Sequence, residues 1–293
     1  MFKEVIYFIS PMCNLCCKHC FYNGGGWYRK DELTLKEKLE AMEKLKNNGV
    51  RHITLLGGEP TIHKEFHIIF NVARMFFKTV SIQTNGTITF PRMFDNTVIE
   101  VSLEDSHPEF NDFIRGKGHF EITIKHIMEY RQKHKLYIRS TVYQNNDVEG
   151  LIKLTEKLGI AGIVFVPFYP SGRGSVLKDF VPTIERMKQV FELIHNYRKK
   201  YKYDNKVMLE DCLYYLYDEF LKRNYSHKFE ERKQVCGGGV HRVAMDYNGD
   251  IYYCQMLMEN KYKVGNIKED EIEKILENIE KLRKKLHEQI NEN

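Results

Sequence analysis

The sequence predicts an α/β protein in which a partial (β/α)6 barrel of the TIM type precedes a small α+β domain. Up to about residue 202, apolar runs of strand length alternate with segments of helical periodicity, a pattern typical of a parallel sheet with helices outside it. Six such units are too few to close the usual eight-stranded barrel, so we expect an open one. Beyond that point the alternation stops. These observations predict two domains, residues 1–202 and 203–293.

Each predicted barrel strand is a short run of apolar and β-branched residues, and amphipathic helices follow the strands. The first helix is expected to stop at Gly49, because glycine is favoured just after a helix C-terminus. The predicted strands are 5–9, 51–56, 79–84, 98–103, 136–142 and 160–168. The predicted helices are 33–48, 64–77, 120–133, 148–158 and 183–202.

The region after residue 202 has a different pattern. A helix is predicted over 211–223, and two strands, 240–245 and 251–255, flank the dipeptide Asn248-Gly249. Two strands around Asn-Gly are a strong hairpin signal. A charged amphipathic helix over 269–290 completes the predicted elements.

Composition excludes several classes of protein. The net charge is +5 and the basic residues are scattered along helical stretches, which disfavours a nucleic-acid-binding surface. The apolar run at the start is too short for a signal peptide, and no stretch approaches the roughly 18 apolar residues of a membrane span. We therefore expect a cytoplasmic protein. Its seven cysteines are then expected to bind metal rather than to form disulfides.

Four of those cysteines lie close together near the start of the chain. The spacing Cys13-x3-Cys17-x2-Cys20 supplies three thiolates, the ligands that iron–sulfur clusters prefer, and leaves one iron of a four-iron cluster open. Cys16 lies inside the same loop and permits the alternative set Cys13, Cys16 and Cys20. A zinc site made by all four cysteines is a further alternative, although zinc sites usually join two separated cysteine pairs.

These residues resemble the CxxxCxxC motif that defines the radical S-adenosylmethionine (SAM) superfamily. Three further segments resemble that family's motifs at the expected distances, and the resemblance covers roughly residues 5–202. The segment after strand two resembles GGEP, the one after strand three resembles TNG, and the strand-four segment resembles SLD with Glu in place of Asp. These segments are Gly57-Gly58-Glu59-Pro60, Gln83-Thr84-Asn85-Gly86 and Val101-Ser102-Leu103-Glu104.

The resemblance implies a [4Fe–4S] cluster on Cys13, Cys17 and Cys20 whose open iron binds SAM, and a 5′-deoxyadenosyl radical that abstracts hydrogen from a substrate. It also implies that the cofactor is held by backbone carbonyls and side chains at the strand ends. His19 stands where the family usually has an aromatic residue packing on the adenine. Ser102 and Ser140, near the ends of strands four and five, are either cofactor ligands or ordinary hydroxyls that line the barrel. The implied cofactor-binding residues are His19, Gly57, Gly58, Glu59, Asn85, Ser102 and Ser140.

A second group of cysteines, Cys236 and Cys254, brackets the predicted hairpin. With Gly249 between them, they resemble the opening signature of SPASM and twitch domains, which hold auxiliary [4Fe–4S] clusters. No cysteine follows Cys254, so a shortened, twitch-like domain is expected. Cys212 is a candidate third ligand, a candidate hydrogen-atom donor to a substrate radical, or a buried structural cysteine. Asp211, His241 or the substrate are candidates for the fourth ligand.

The resemblance favours an oxidoreductase or maturase that modifies a peptide or protein side chain by epimerisation, thioether formation or crosslinking. A reducing partner such as flavodoxin or ferredoxin would supply the electron. Because strand one begins near Val5, we expect no leader-binding domain ahead of it. The alternatives are a radical SAM enzyme of small-molecule cofactor biosynthesis and a non-catalytic electron carrier. The loop 170–174 is either a site for an anion or substrate carboxylate, or a plain loop.

Overall fold

One β-sheet runs through the whole molecule in the computed structural model, which describes residues 1–22, 31–89, 97–201, 206–225 and 237–291. Within these ranges the sheet has ten strands. The strands are β1 (Glu4–Phe8), β2 (His52–Leu56), β3 (Thr79–Thr84), β4 (Thr97–Ser102), β5 (Leu136–Val142), β6 (Gly162–Pro167), β7 (Val207–Leu209), β8 (Arg242–Met245), β9 (Asp250–Tyr252) and β10 (Lys263–Asn266).

The strand order is β10-β9-β8-β1-β2-β3-β4-β5-β6-β7. Strands β1 to β7 are parallel, β8 joins β1 in parallel, and β9 and β10 add antiparallel strands beyond it. The predicted partial barrel is therefore confirmed, and all six of its strands lie within two residues of their predicted bounds. The predicted hairpin forms β8 and β9. The short strands β7 and β10 were not predicted.

The α-helices of the described ranges lie mainly between successive strands. Helix α1 begins with a capping box in which Thr34 and Glu37 bond each other's backbone N–H groups. All seven predicted helices occur, and one short helix, α3, was missed. The helices are α1 (Leu35–Asn47), α2 (Phe66–Phe76), α3 (Pro108–Arg115), α4 (His119–Tyr130), α5 (Val148–Leu158), α6 (Ile184–Lys200), α7 (Asp211–Tyr225) and α8 (Ile272–Asn291).

Two apolar clusters join the sheet to these helices. One packs β1, β2 and β3 against α1, α2 and α8, and the other packs β4 to β7 against α4 to α7. Alternation along each strand sends every second side chain to the other face. On β1, Val5 and Tyr7 belong to the outer cluster, whereas Ile6 and Phe8 pack with Leu56 inside the barrel.

Charged side chains occupy part of the barrel interior. Arg139 of β5 donates to Glu100 Oε2 at 2.9 Å and to Glu210 Oε2 at 2.6 Å. Arg242 of β8 donates to Glu210 Oε1 at 2.5 Å and to Glu4 Oε2 at 3.0 Å. Burial opposes ionisation of Glu210, but the two guanidinium groups lower its pKa to about 2. Glutamate and arginine side chains thus alternate in a chain of ion pairs across the barrel interior.

The division between residues 1–202 and 203–293 remains a prediction. The sheet continues across it, because β7 pairs with β6 and β8 pairs with β1.

Among the described helices, none combines the length and the apolar character that a membrane crossing requires.

Candidate active site at the carboxyl ends of the strands

A cavity of about 170 Å³ opens at the carboxyl ends of the barrel strands. This is the end of a parallel barrel at which loops from several strands converge on one place. The cavity combines apolar walls with a dense set of polar groups. Its lining includes Phe8, Cys13, Cys17, His19, Cys20, Leu56, Gly57, Gly58, Thr84, Asn85, Ser102, Glu104, Arg115, Arg139, Thr141, Val166, Phe168, Tyr169 and Arg173.

The structure separates Cys16 from the other three cysteines of the first loop. Cys13, Cys17 and Cys20 line the cavity, while Cys16 is exposed and does not. Burial, with smaller contributions from the neighbouring thiols of Cys17 and Cys20, raises the pKa of Cys13 to about 11. Such thiols ionise readily only beside a compensating cation, as iron provides. The arrangement matches the set Cys13, Cys17 and Cys20 and not the sets that include Cys16.

No three His, Cys, Asp or Glu side chains within the described ranges lie close enough to share one metal ion. The three thiols nevertheless face one cavity. A four-iron cluster, whose ligands bind separate corners, suits such an arrangement better than a single zinc ion does.

Gly57 and Gly58 are required where they stand because the cysteine loop begins directly against them. The Gly58 N–H donates to the Ser10 carbonyl at 2.8 Å, and the Glu59 N–H donates to the Met12 carbonyl at 2.6 Å. A Cβ at Gly58 would overlap the Met12 carbonyl, and one at Gly57 would overlap that of Ser10. Both glycines also line the cavity, so they can present backbone to a ligand.

Glu59 is buried beneath this loop and is absent from the cavity lining. Its Oε1 accepts from the hydroxyls of Thr61 at 2.6 Å and Thr84 at 2.8 Å, and its Oε2 accepts from the Asn85 N–H at 2.6 Å. Burial raises the pKa of this carboxyl, which these donors oppose. The carboxylate therefore ties the loop after β2 to the loop after β3, and its predicted contact with the cofactor stays a prediction.

Asn85 and Ser102 lie where they were expected, on the cavity wall. Asn85 Nδ2 donates to Asn14 Oδ1 at 2.8 Å, so the loop after β3 also holds the cysteine loop. Ser140 is different. Its strand neighbours Arg139 and Thr141 line the cavity, so alternation directs Ser140 to the opposite face, where it is fully buried. The structure thus does not bring Ser140 to the cavity, contrary to its predicted place at the cofactor.

A buried ion pair stands beside the cysteine loop. The Arg115 Nε donates to Glu104 Oε1 at 2.9 Å, Arg115 Nη2 contacts the same oxygen, and the Thr141 N–H donates to Glu104 Oε2 at 2.9 Å. Burial opposes ionisation of Glu104, but the Arg115 guanidinium holds its pKa below the usual range. The Cys17 thiol lies 3.8 Å from the Arg115 carbonyl.

His19 contributes an imidazole to the same wall. Its Nε2 lies 3.8 Å from Glu104 Oε1, and burial lowers its pKa to about 4, so the ring is neutral near pH 7. The buried Nδ1 has no hydrogen-bond partner among the described residues. The ring lines the cavity, and its predicted contact with the cofactor stays a prediction.

Two arginines of this site, Arg115 and Arg139, were not identified from the sequence, whereas a third, Arg173, belongs to the loop that the sequence offers as an anion site. Arg115 belongs to helix α3, which was not predicted. The glutamate at position 104 could have indicated it, because a buried carboxylate needs a cation nearby. Arg173 lies in the loop 170–174. Its Nε donates to the Cys17 carbonyl at 2.9 Å and its N–H donates to the Cys20 carbonyl at 3.0 Å. The loop 170–174 is thus joined to the cysteine loop by two hydrogen bonds.

A second, smaller cavity adjoins the first and contains Cys212 and Cys254. Cys236, the other predicted ligand, lies outside the described residues. Burial raises the pKa of Cys254, and the nearby Cys212 raises it further. Asp211 lines this cavity, whereas His241 is not among the lining residues and has its Nε2 3.7 Å from Asp211 Oδ2. The two cavities share the wall residues Pro167, Tyr169, Gln255 and Met256.

Comparison with known proteins identifies both regions. The family model of the radical SAM superfamily matches residues 7–165, more than half of the chain, and that of the SPASM iron–sulfur cluster-binding domain matches residues 236–292. The mycofactocin maturase MftC of Mycolicibacterium smegmatis is 25% identical over 275 residues, covering 89% of this chain and 66% of MftC. Fe-coproporphyrin III synthase of Methanosarcina barkeri is 26% identical over 286 residues, covering 90% of this chain and 71% of the synthase.

A solved structure shows the same fold. Streptococcus suis SuiB bound to its precursor peptide SuiA superimposes with a TM-score of 0.74 at 20% identity, covering 94% of this chain and 64% of SuiB. The chain thus spans just under two thirds of the length of MftC and of SuiB.

The family matches imply [4Fe–4S] clusters and SAM as the cofactors, and SuiB has been solved with S-adenosylmethionine bound. The first cavity fits them, because three thiols face it and two glycines present backbone beside them. The chain is a member of the radical SAM superfamily, with a C-terminal iron–sulfur cluster-binding domain of the SPASM type.

Proposed function

We propose that this protein is a radical SAM maturase that modifies a peptide or protein side chain by epimerisation, thioether formation or crosslinking. The observation that carries the proposal is the convergence of Cys13, Cys17 and Cys20 on a cavity that Gly57 and Gly58 also line. The likeness of the fold to SuiB, which binds a precursor peptide, supports a peptide as the substrate.

The cluster and SAM, when bound, supply the 5′-deoxyadenosyl radical that removes a hydrogen atom from the substrate. The chain supplies placement. Cys13, Cys17 and Cys20 hold the cluster, and Gly57 and Gly58 offer backbone carbonyls to the amino group of SAM. Asn85 and Ser102 offer polar side chains on the same wall.

The neutral imidazole of His19 would pack beside the adenine of bound SAM, and its Nδ1, which has no hydrogen-bond partner among the described residues, could hydrogen-bond there. The pair Glu104–Arg115 is internally balanced, so it adds no net charge to the wall. Phe8, Leu56, Val166 and Phe168 supply apolar surface that excludes water from a reactive intermediate.

The second cavity holds an auxiliary cluster in this proposal, with Cys212, Cys236 and Cys254 as ligands. The proximity of Cys212 to Cys254 supports it, as does the match to the SPASM domain. Asp211 is the candidate for the fourth position, because it lines the cavity, where its Oδ2 lies 3.3 Å from Arg242 Nη2. A flavodoxin or ferredoxin supplies the electron.

A second candidate function is the modification of a small-molecule cofactor. The similarity to Fe-coproporphyrin III synthase, of which the chain covers 71%, favours it. The two candidates use the same radical chemistry and differ in the molecule that meets the shared wall between the cavities.

The test is an anaerobic incubation of reconstituted protein with SAM, dithionite and either a peptide encoded beside its gene or an iron porphyrin. Mass spectrometry of each substrate, repeated in deuterated water to detect epimerisation, reports the change. We expect a modified peptide with wild-type protein and none with Cys17→Ala. Modification of the porphyrin alone would replace the first proposal with the second.

A further inference from the structure

The barrel of this protein is open on one side, between β7 and β8. Strand β7 is the last strand at one end of the sheet, and β8 lies beside β1 near the other end. These two strands do not pair with each other in the sheet. Side chains make contacts across this gap, and one of them is Arg242, whose Nη2 lies 3.3 Å from Oδ2 of Asp211 at the start of α7.

Glu210, the residue after Leu209 of β7, reaches across the gap. Its Oε1 accepts from Arg242 of β8 at 2.5 Å, and its Oε2 accepts from Arg139 of β5 at 2.6 Å. All three side chains are largely buried, with exposed fractions of 11%, 20% and 13%. Each carboxylate oxygen thus serves one guanidinium, and the three groups form a latch across the opening.

The cysteines of the second cavity are attached to the two sides of this latch. Cys212 follows Glu210 by two residues, at the start of α7. Cys254 follows β9, which pairs with β8, the strand that begins at Arg242. Glu210 and Arg242 also line the second cavity, while Arg139 lines the first.

We propose that Glu210 is a positioning residue: by joining Arg242 to Arg139, it holds Cys212 beside Cys254 and fixes the second cavity relative to the first. The inference rests on the proposed function only in giving these two thiols the role of cluster ligands. The placement of the thiols themselves is independent of that role.

The test measures the proximity of the two thiols in metal-free, full-length protein. Dibromobimane, a reagent that bridges neighbouring thiols, is added, and peptide mapping quantifies the Cys212–Cys254 bridge. The bridge yield should fall roughly tenfold in Glu210→Gln, because the loss of a charge-assisted hydrogen bond shifts an equilibrium by about that factor. A yield equal to that of wild type would overturn the proposal.

The matched control is Glu219→Gln on α7, the helix that follows Glu210; it removes an exposed ion pair with Lys222 and should leave the yield unchanged. If Glu210→Gln does not fold by circular dichroism, Arg242→Lys replaces it, since lysine keeps the charge but offers a single point donor. An intermediate yield is expected there, and an undiminished one counts against the latch.

A spectroscopic readout separates positioning from general loosening of the structure. In reconstituted protein, Glu210→Gln should alter the electron paramagnetic resonance signal of the second cluster and leave that of the first unchanged. A change in the first cluster alone contradicts the proposal. If wild-type protein binds only about four irons, the auxiliary cluster of the proposed function fails. The bridging assay still decides the latch in that case.

Discussion

Replacing Glu104 with glutamine should destabilise the protein strongly, because it leaves a buried guanidinium without its counter-charge. Glu104 and Arg115 have exposed side-chain fractions of only 1% and 9%, and two guanidinium nitrogens contact one carboxylate oxygen. Breaking a buried pair by removing one partner costs about 3–5 kcal/mol. We expect the lower end, about 3 kcal/mol, since glutamine still accepts from the Thr141 N–H.

The assay is urea unfolding of the metal-free protein under reducing conditions, followed by far-ultraviolet circular dichroism. Glu104→Gln should lower the denaturation midpoint with little change in slope, which indicates a loss of stability rather than a change in compactness. Glu219→Gln, which breaks an exposed ion pair, is the control and should leave the midpoint where it is. A midpoint shift as small as that of the control would refute the buried-pair interpretation.

The pH dependence gives a second check on the same variant. The folded-state pKa of Glu104 is depressed by Arg115, so its stabilisation is complete above the unfolded-state value of about 4.3. That stabilisation is lost as pH falls through the folded-state pKa. The stability difference between wild type and Glu104→Gln should therefore be constant near neutrality and shrink in acid. A difference that grows on acidification would contradict the assignment.

Four further substitutions test other parts of the structure. Gly58→Ala should cost about 1–3 kcal/mol and weaken SAM binding, because the added Cβ meets the Met12 carbonyl; unfolding and equilibrium dialysis measure the two effects. Ser102→Ala should weaken SAM binding roughly fivefold, whereas Ser140→Ala should not change it, since only Ser102 lines the cavity; equal effects would contradict this placement. Burial raises the pKa of Asp246 to about 7. The stability of wild type relative to Asp246→Asn should therefore fall as the pH rises from about 4 to about 7. A urea midpoint of wild type that rises relative to that of the variant over this range would contradict the prediction.

The barrel strands could be predicted from the sequence because each is a short run rich in apolar and β-branched residues that pack against helices. Local pattern is sufficient for such elements. It is not sufficient for β7, a strand of three residues whose pairing with β6 is set by long-range packing. Helix α3 was not predicted for a related reason. It begins at Pro108 and has only eight residues, which is too short a segment for its helical periodicity to be recognised.

The cysteine motif and the glycines could also be predicted, but part of their physical role could not. The sequence assigns the close approach at Gly57 and Gly58 to a ligand. The structure adds the carbonyls of Ser10 and Met12, which already occupy the space a side chain would need. That contact joins segments far apart in the sequence and leaves no local signal.

The face of the sheet to which Ser140 points could have been predicted from the sequence. Ile138 and Val142 share its strand parity and are apolar, which indicates the outer face, whereas Arg139 and Thr141 have the parity of the interior. The contacts of Glu210 with Arg139 and Arg242, by contrast, depend on where the barrel stays open, and no local pattern specifies that.

The central claim is that Cys13, Cys17 and Cys20, without Cys16, hold the cluster that cleaves SAM. The most direct measurement is the release of 5′-deoxyadenosine from SAM by anaerobically reconstituted, dithionite-reduced protein. Wild type and Cys16→Ala should release it at similar rates, and Cys17→Ala should release none above background. Loss of the product in Cys16→Ala, or its persistence in Cys17→Ala, would contradict the account.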